Sequence, residues 1–178
     1  MKKKYLIAGG VIAFITAALF LKYRRSIPKG ASPVKDFDKE KYLGKWFEIA
    51  RLDYHYEHNL NHTTAEYFVN KDGSIKVVNT GYDYTKNETK TATGKAVFAG
   101  SDKEGKLKVS FFGPFYAGYN VIAIDEDYKY ALVAGRNLDY LWLLSRERTM
   151  PEDVKNEYLS IAASIGYKTN DLTWVNQY

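Results

Sequence analysis

All three histidines of the 178-residue chain fall in one short stretch, Tyr54-His55-Tyr56-Glu57-His58-Asn59-Leu60-Asn61-His62. His55, His58 and His62 stand at i, i+3 and i+7. On a helix this spacing would set three imidazoles on one face, with Glu57 beside them. Imidazole and carboxylate are ligands for first-row transition metals, so a metal or haem site is one reading. An extended loop would splay the three rings, and the site would not form. The choice rests on the elements to either side.

Other chemistry is sparse. The chain has no cysteine, which excludes disulfides, thiolate metal sites, cysteine nucleophiles and a lipid-modified cysteine. It contains no Gly-x-Ser-x-Gly, P-loop, His-Glu-x-x-His or Gly-x-Gly-x-x-Gly. Glu48 is the one carboxylate whose surroundings suggest burial. A buried charge needs a partner, so a tyrosine or arginine is expected to hold it. No catalytic residue, metal site or cofactor is assigned, and the chain is not expected to be an enzyme.

The net charge of +5 is unevenly spread. Seven basic residues and no acidic ones lie in residues 1–30, which leaves 19 basic against 21 acidic in the rest. Nucleic-acid binding therefore loses its electrostatic support. Within the basic segment, Tyr5–Leu21 carries no charge and is flanked by Lys2–Lys4 and by Lys22, Arg24 and Arg25. As a helix it would be roughly 25 Å long, at the short end of what spans a bilayer. It reads as an uncleaved membrane helix or a secretory signal segment. The basic flank directly after it and the lack of an Ala-x-Ala-like site favour the membrane helix. Residues 1–30 are thus expected as an anchor or signal segment and residues 31–178 as one domain.

That domain is rich in aromatics, with 16 Tyr, nine Phe and three Trp in the chain, a composition that suits half-buried strands. From Tyr42 onward, short runs alternate with turn signals. Examples are "KWFEIARL", "TAEYFV" closed by Asn70-Lys71-Asp72-Gly73, and "KLKVSFF", where Leu107, Val109 and Phe111 share a face. Eight such runs predict an antiparallel up-and-down barrel or a sandwich. A helix follows, with Thr149 and Glu152 as a capping box and Val154, Tyr158, Ala162 and Ile165 on its apolar face. Gly166 stops it, and "DLTWV" is a last extended segment.

Gly44-Lys45-Trp46, at the start of the first strand, resembles the Gly-x-Trp signature of lipocalins. "SFFGPFYAGYNVIAID" and "YALVAGRNLDYLWLLSR" follow in the expected order and resemble bacterial lipocalins of the outer-membrane-lipoprotein, apolipoprotein D-like type. The resemblance covers residues 36–178. It implies an all-β fold, an eight-stranded antiparallel up-and-down barrel with a C-terminal helix, and it implies that Arg146 stacks on Trp46 at the closed end. Gly44, Trp46 and Arg146 are then structural. By strand alternation the calyx is expected to be lined by Ala50, Tyr67, Val77, Phe98, Val109, Phe111, Val121, Leu132, Trp142 and Leu144. "FFGPFYAGYN" is expected as the connection of the fifth and sixth strands, either a packed aromatic turn or a rim that touches lipid.

The resemblance implies a carrier that holds a fatty acid or lysophospholipid in the calyx, for storage or transport in the cell envelope. It also implies outer-membrane location, but through a lipobox cysteine that this chain lacks. The apolar segment would stand in for it only as a membrane helix, with the barrel on the extracytoplasmic side. On this reading "YHYEHNLNH" is the loop over the mouth. Tyr54 and Tyr56 pack on the rim, and His55 or His58 meets an anionic headgroup. The alternative is haem or metal binding through His55, His58 and His62.

Overall fold

Short alternating runs separated by polar turns leave each strand one way to satisfy its backbone, which is to pair with its neighbour in sequence. The computed structural model describes residues 26–52 and 57–178 and shows this arrangement. The segment Tyr5–Leu21 and the loop residues Tyr54, His55 and Tyr56 lie outside the described residues. Among the described residues no helix is long and apolar enough to cross a membrane.

The elements in order are α1 (Lys39–Tyr42), β1 (Gly44–Leu52), β2 (Leu60–Val69), β3 (Ile75–Asp83), β4 (Glu88–Phe98), β5 (Lys106–Phe112), β6 (Phe115–Ile124), β7 (Tyr130–Ala134), β8 (Leu141–Ser145), α2 (Glu152–Ile165) and β9 (Leu172–Trp174). Each of β2 to β7 pairs antiparallel with the next. β1 pairs with β8 along one edge and with β2 along the other, which closes an eight-stranded barrel. Where β2 leaves β1, β9 takes its place opposite Ala50–Leu52. The side chain of Gln177 then fills the seam, donating to Glu48 O at 2.8 Å and to Thr63 O at 2.9 Å.

The turns are held by acidic side chains that accept backbone N–H groups. Asp83 Oδ1 accepts from the amides of Thr85 and Lys86 at 3.0 and 3.2 Å. Asp125 Oδ1 accepts from those of Lys129 and Tyr130 at 2.7 and 2.5 Å. Gly73, in the Asn70–Ser74 turn, has φ 78°, which favours glycine.

Two apolar clusters result. One, with Phe37, Trp46, Leu107 and Val133, fills the base of the barrel. The other, with Leu132, Leu143, Tyr158 and Ala162, lies between the outer wall and α2. The helix begins two residues later than the expected capping box places it. Pro151 is the N-cap and makes no side-chain cap bond, while the carbonyl of Thr149 accepts from Ser145 Oγ at 2.8 Å. The Thr149 carbonyl is thus held by the end of β8, ahead of the helix. The helix stops at Gly166, with φ 106°, as expected.

The base is sealed around Arg146. Its guanidinium carbon lies 3.9 Å from the centre of the Trp46 ring. Its N–H groups donate to the carbonyls of Lys41 and Lys45 at 2.7 Å each and of Leu43 at 2.9 Å. Those carbonyls belong to the end of α1 and the start of β1, where no helix or strand partner is available. Gly44 has φ 88°, and this left-handed turn brings them together. Nε donates to the Tyr128 carbonyl at 3.2 Å, so removing the guanidinium leaves four acceptors short of a donor. Arg146→Ala is therefore expected to destabilise the fold by about 2–3 kcal/mol, read as a lower urea midpoint. Arg146→Lys should recover less than half, because an ammonium neither stacks flat nor forks to several carbonyls.

Candidate ligand-binding site

With the base sealed, the barrel opens at the end that carries the β1–β2, β3–β4, β5–β6 and β7–β8 connections. The interior there holds a cavity of about 830 Å³. Tyr67, Val77, Val109, Phe111, Trp142 and Leu144 line it. Phe98 and Val121 also belong to the inner cluster but lie in the base, outside the cavity lining. Ala50 and Leu132 do not face the interior, which corrects their expected place in the calyx. Both belong to the cluster under α2.

The reason differs for the two. In β1 the register slips between Glu48 and Ala50, with Glu48 opposite Leu144 and Ala50 opposite Leu143. Ile49 is the extra residue of a bulge, so the alternation that carries Trp46 and Glu48 inward turns Ala50 outward. β7 has no bulge, but Ala131, Leu132, Val133 and Ala134 are all fully buried. A strand covered on both faces has no polar residues to mark its phase. Ala131 and Val133 are the inward pair.

Three tyrosines at the base of the cavity were not expected as a group. The Tyr119 hydroxyl lies 2.6 Å from that of Tyr42 and 2.7 Å from that of Tyr67. The rings of Tyr42 and Tyr67 also pack together, with centroids 5.3 Å apart. The hydroxyls form one hydrogen-bonded group at the floor of the cavity. Tyr119 shares strand parity with Val121, so its inward aspect was readable; its meeting with Tyr42 needed the base to be built.

Burial pushes all three phenols up, Tyr67 to about 12 and Tyr42 and Tyr119 well above the ordinary value. The three are uncharged donors at neutral pH.

A second polar group crosses the wall near the mouth. Arg51 is 1% exposed and its Nη1 donates to Glu48 Oε1 at 2.7 Å. Its Nη2 donates to the carbonyl of Glu57 at 2.5 Å. Trp142 Nε1 donates to Glu57 Oε2 at 3.2 Å. Glu48 is therefore held by an arginine, as a buried carboxylate requires. The β1 bulge that turns Ala50 outward is what brings Arg51 round to Glu48. The cluster also pins the end of the loop over the mouth.

The described histidines do not gather. Glu57–Asn59 form a turn and β2 begins at Leu60, so residues 57–62 are not helical. His58 is exposed. His62 Nε2 lies 3.1 Å from Tyr178 O, and its ring stacks on Tyr82. Among the described residues no three His, Asp or Glu side chains could hold one metal ion.

The tyrosine group makes a pH prediction. In the unfolded chain a phenol ionises near pH 10. In the fold Tyr67 stays neutral until about 12. The stability this contributes is complete below pH 10 and is lost as pH rises from 10 to 12. Tyr67→Phe is expected to flatten that part of the stability profile, measured by urea unfolding across this range. An equally steep loss in the variant would mean that other groups cause it.

Residues 37–177 match the family of the Lipocalin-like domain. The outer membrane lipoprotein Blc of Citrobacter freundii is 46% identical over 169 residues, covering 94% of this chain and 96% of the relative. The protein of the same name from Vibrio cholerae is 45% identical over 167 residues, covering 93% and 98%. Among solved structures, the cockroach allergen Per a 4 superposes with a TM-score of 0.67 at 22% identity, over 86% of this chain and 96% of that one. With the closed barrel, the sealed base and the Gly-x-Trp and Arg146 positions in place, the match over nearly the whole described domain shows that the chain belongs to the lipocalin family.

Proposed function

We propose that the protein binds a long-chain lipid, a fatty acid or lysophospholipid, in the calyx and carries or stores it in the cell envelope. The observation that supports this most directly is the cavity itself. At about 830 Å³ it lies in the usual range for small-molecule pockets. Its deeper wall is built from Ile75, Val77, Ala96, Leu107, Val109 and Leu144. Each buried CH₂ of a ligand contributes about 0.8 kcal/mol. A chain of ten such groups gives roughly 8 kcal/mol before the cost of association is subtracted.

The headgroup has candidate partners at the mouth. Arg136 lies there, and Lys90 lines the same region while paired with Asp83 at 2.6 Å. Thr63 Oγ1 and Asn79 Oδ1 are buried, belong to residues of the cavity wall and make no hydrogen bond within the protein. His58 lies in the loop at this end, and Tyr54, His55 and Tyr56 belong to the same loop by sequence. The relatives' name, outer membrane lipoprotein, supports placement in the envelope. For this chain, attachment would run through Tyr5–Leu21 rather than an acylated cysteine, with the barrel on the extracytoplasmic side. The haem or metal alternative gains no support from the described residues, where His62 is engaged by the C-terminal carbonyl and Tyr82.

The test is a titration of delipidated protein, beginning at Ser26, with palmitate and with lysophosphatidylethanolamine. Saturable binding of one ligand per barrel is expected. Val109→Trp puts an indole into the cavity and should weaken binding at least about tenfold, equivalent to 1.4 kcal/mol or more. Failure of both ligands to saturate would refute the proposal.

A further inference from the structure

We infer that the mouth of the calyx faces a lipid bilayer, with the β5–β6 hairpin tip in the headgroup region. The inference rests on the anchored-carrier reading and adds an orientation to it. Two independent features of the fold set that orientation.

The first is where the described chain begins. Ser26 lies against the outside of β6, near the mouth. Its carbonyl accepts from Asn120 Nδ2 at 2.8 Å. A Cβ on Gly118 would come within 2.2 Å of the same oxygen, so only glycine admits the strap here. From Ser26 the chain runs down toward the base. Val34 N donates to Val121 O, Gly105 N donates to Val34 O, and Phe37 N donates to Lys103 O. The segment that precedes Ser26 therefore starts from the mouth half of the barrel. Gly118 is three residues from the start of β6 at Phe115, or roughly 10 Å.

Chain length turns this into a constraint. Only Lys22, Tyr23, Arg24 and Arg25 lie between the apolar run that ends at Leu21 and Ser26. Fully extended, this connection spans at most about 18 Å. The base end of β6, at Ile124, lies roughly 20 Å beyond Gly118, with the base loops further still. A barrel tethered this way cannot turn its closed end to the membrane. The connection carries Lys22, Arg24 and Arg25, whose charge anionic headgroups attract.

The second feature is the rim. Phe112 is 71% exposed and Phe115 79%, on either side of Gly113-Pro114. Tyr116, Tyr84 and Leu138 are also exposed, on the β5–β6, β3–β4 and β7–β8 connections. These connections all lie at the mouth. Lys86 and Arg136 are exposed among them, and Lys108, exposed on β5, has its Nζ 5.2 Å from the Tyr116 ring centre. Aromatic side chains beside cations suit the boundary between headgroups and acyl chains. The apolar tip thus points the same way as the tether. A lipid could then pass between bilayer and calyx without crossing open water.

The chain has no cysteine, so single labels can be placed cleanly. The test uses the full-length protein in phosphatidylethanolamine–phosphatidylglycerol vesicles. One variant carries a fluorophore on Leu138→Cys at the mouth and another on Asp102→Cys in the β4–β5 turn at the base. Quenching by lipids with a spin label near the headgroup is expected for Leu138→Cys and not for Asp102→Cys. Aqueous iodide should quench mainly the label at the base. Adding Phe112→Ser and Phe115→Ser should reduce the lipid quenching at the mouth at least twofold.

Stronger lipid quenching at Asp102→Cys, or equal quenching at both, would overturn the orientation. A mouth label shielded from iodide but not quenched by lipid would point to a second copy as the occupant, and would also overturn it. Protein that does not float with the vesicles would remove the anchor on which the orientation rests. None of these results bears on whether the calyx binds lipid, which the titration reads separately.

Discussion

A single guanidinium holds the closed end of this barrel together. Arg146 stacks on Trp46 and donates to three backbone carbonyls where the chain passes from α1 into β1. Without that plug, the segment Asp38–Gly44 would have to satisfy its carbonyls with water at the entrance to an apolar interior. With it, Tyr42 and Trp46 are fixed under the core, and Trp46 Nε1 donates to Tyr42 O at 2.9 Å. The consequence is asymmetry. One end of the barrel is filled by side chains, and the cavity is left open at the other end alone.

The buried charges of the open half are paired. Arg51 and Glu48 sit in the wall, with Glu57 drawn in from the loop. The tyrosine hydroxyls of Tyr42, Tyr67 and Tyr119 are joined at the base. Between these two polar levels the wall is mainly aliphatic. Such a cavity suits a slender apolar chain, with polar contacts available to a ligand at its mouth. The seam between β1 and β2 is kept shut by Gln177 and β9. The C-terminal tail is thus part of the wall rather than an appendage.

Much of this was readable from the sequence. The clean alternation of Lys106–Phe111, the Asp72-Gly73 turn and the capping glycine at Gly166 mark local structure, and local structure is what period and turn chemistry report. Six of the ten expected calyx residues line the cavity for the same reason. The exceptions are physical. A bulge in β1 reverses parity at Ala50, and no propensity announces a bulge. β7 is apolar on both faces, so Leu132 carried no sign of its side. Phe98 and Val121 point inward but reach the base, and depth within a barrel depends on strand stagger, which alternation does not encode. The histidine spacing suggested a helix face that residues 57–62 do not form, because β2 begins at Leu60.

The central claim is that the calyx holds one long-chain lipid. The most direct measurement is organic extraction of the purified wild-type protein, with mass spectrometry of what is released and its amount per chain. A lipid carrier predicts about one equivalent of a fatty acid or lysophospholipid, much reduced from Val109→Trp prepared alongside. An extract with no lipid, or the same amount from both proteins, would contradict it.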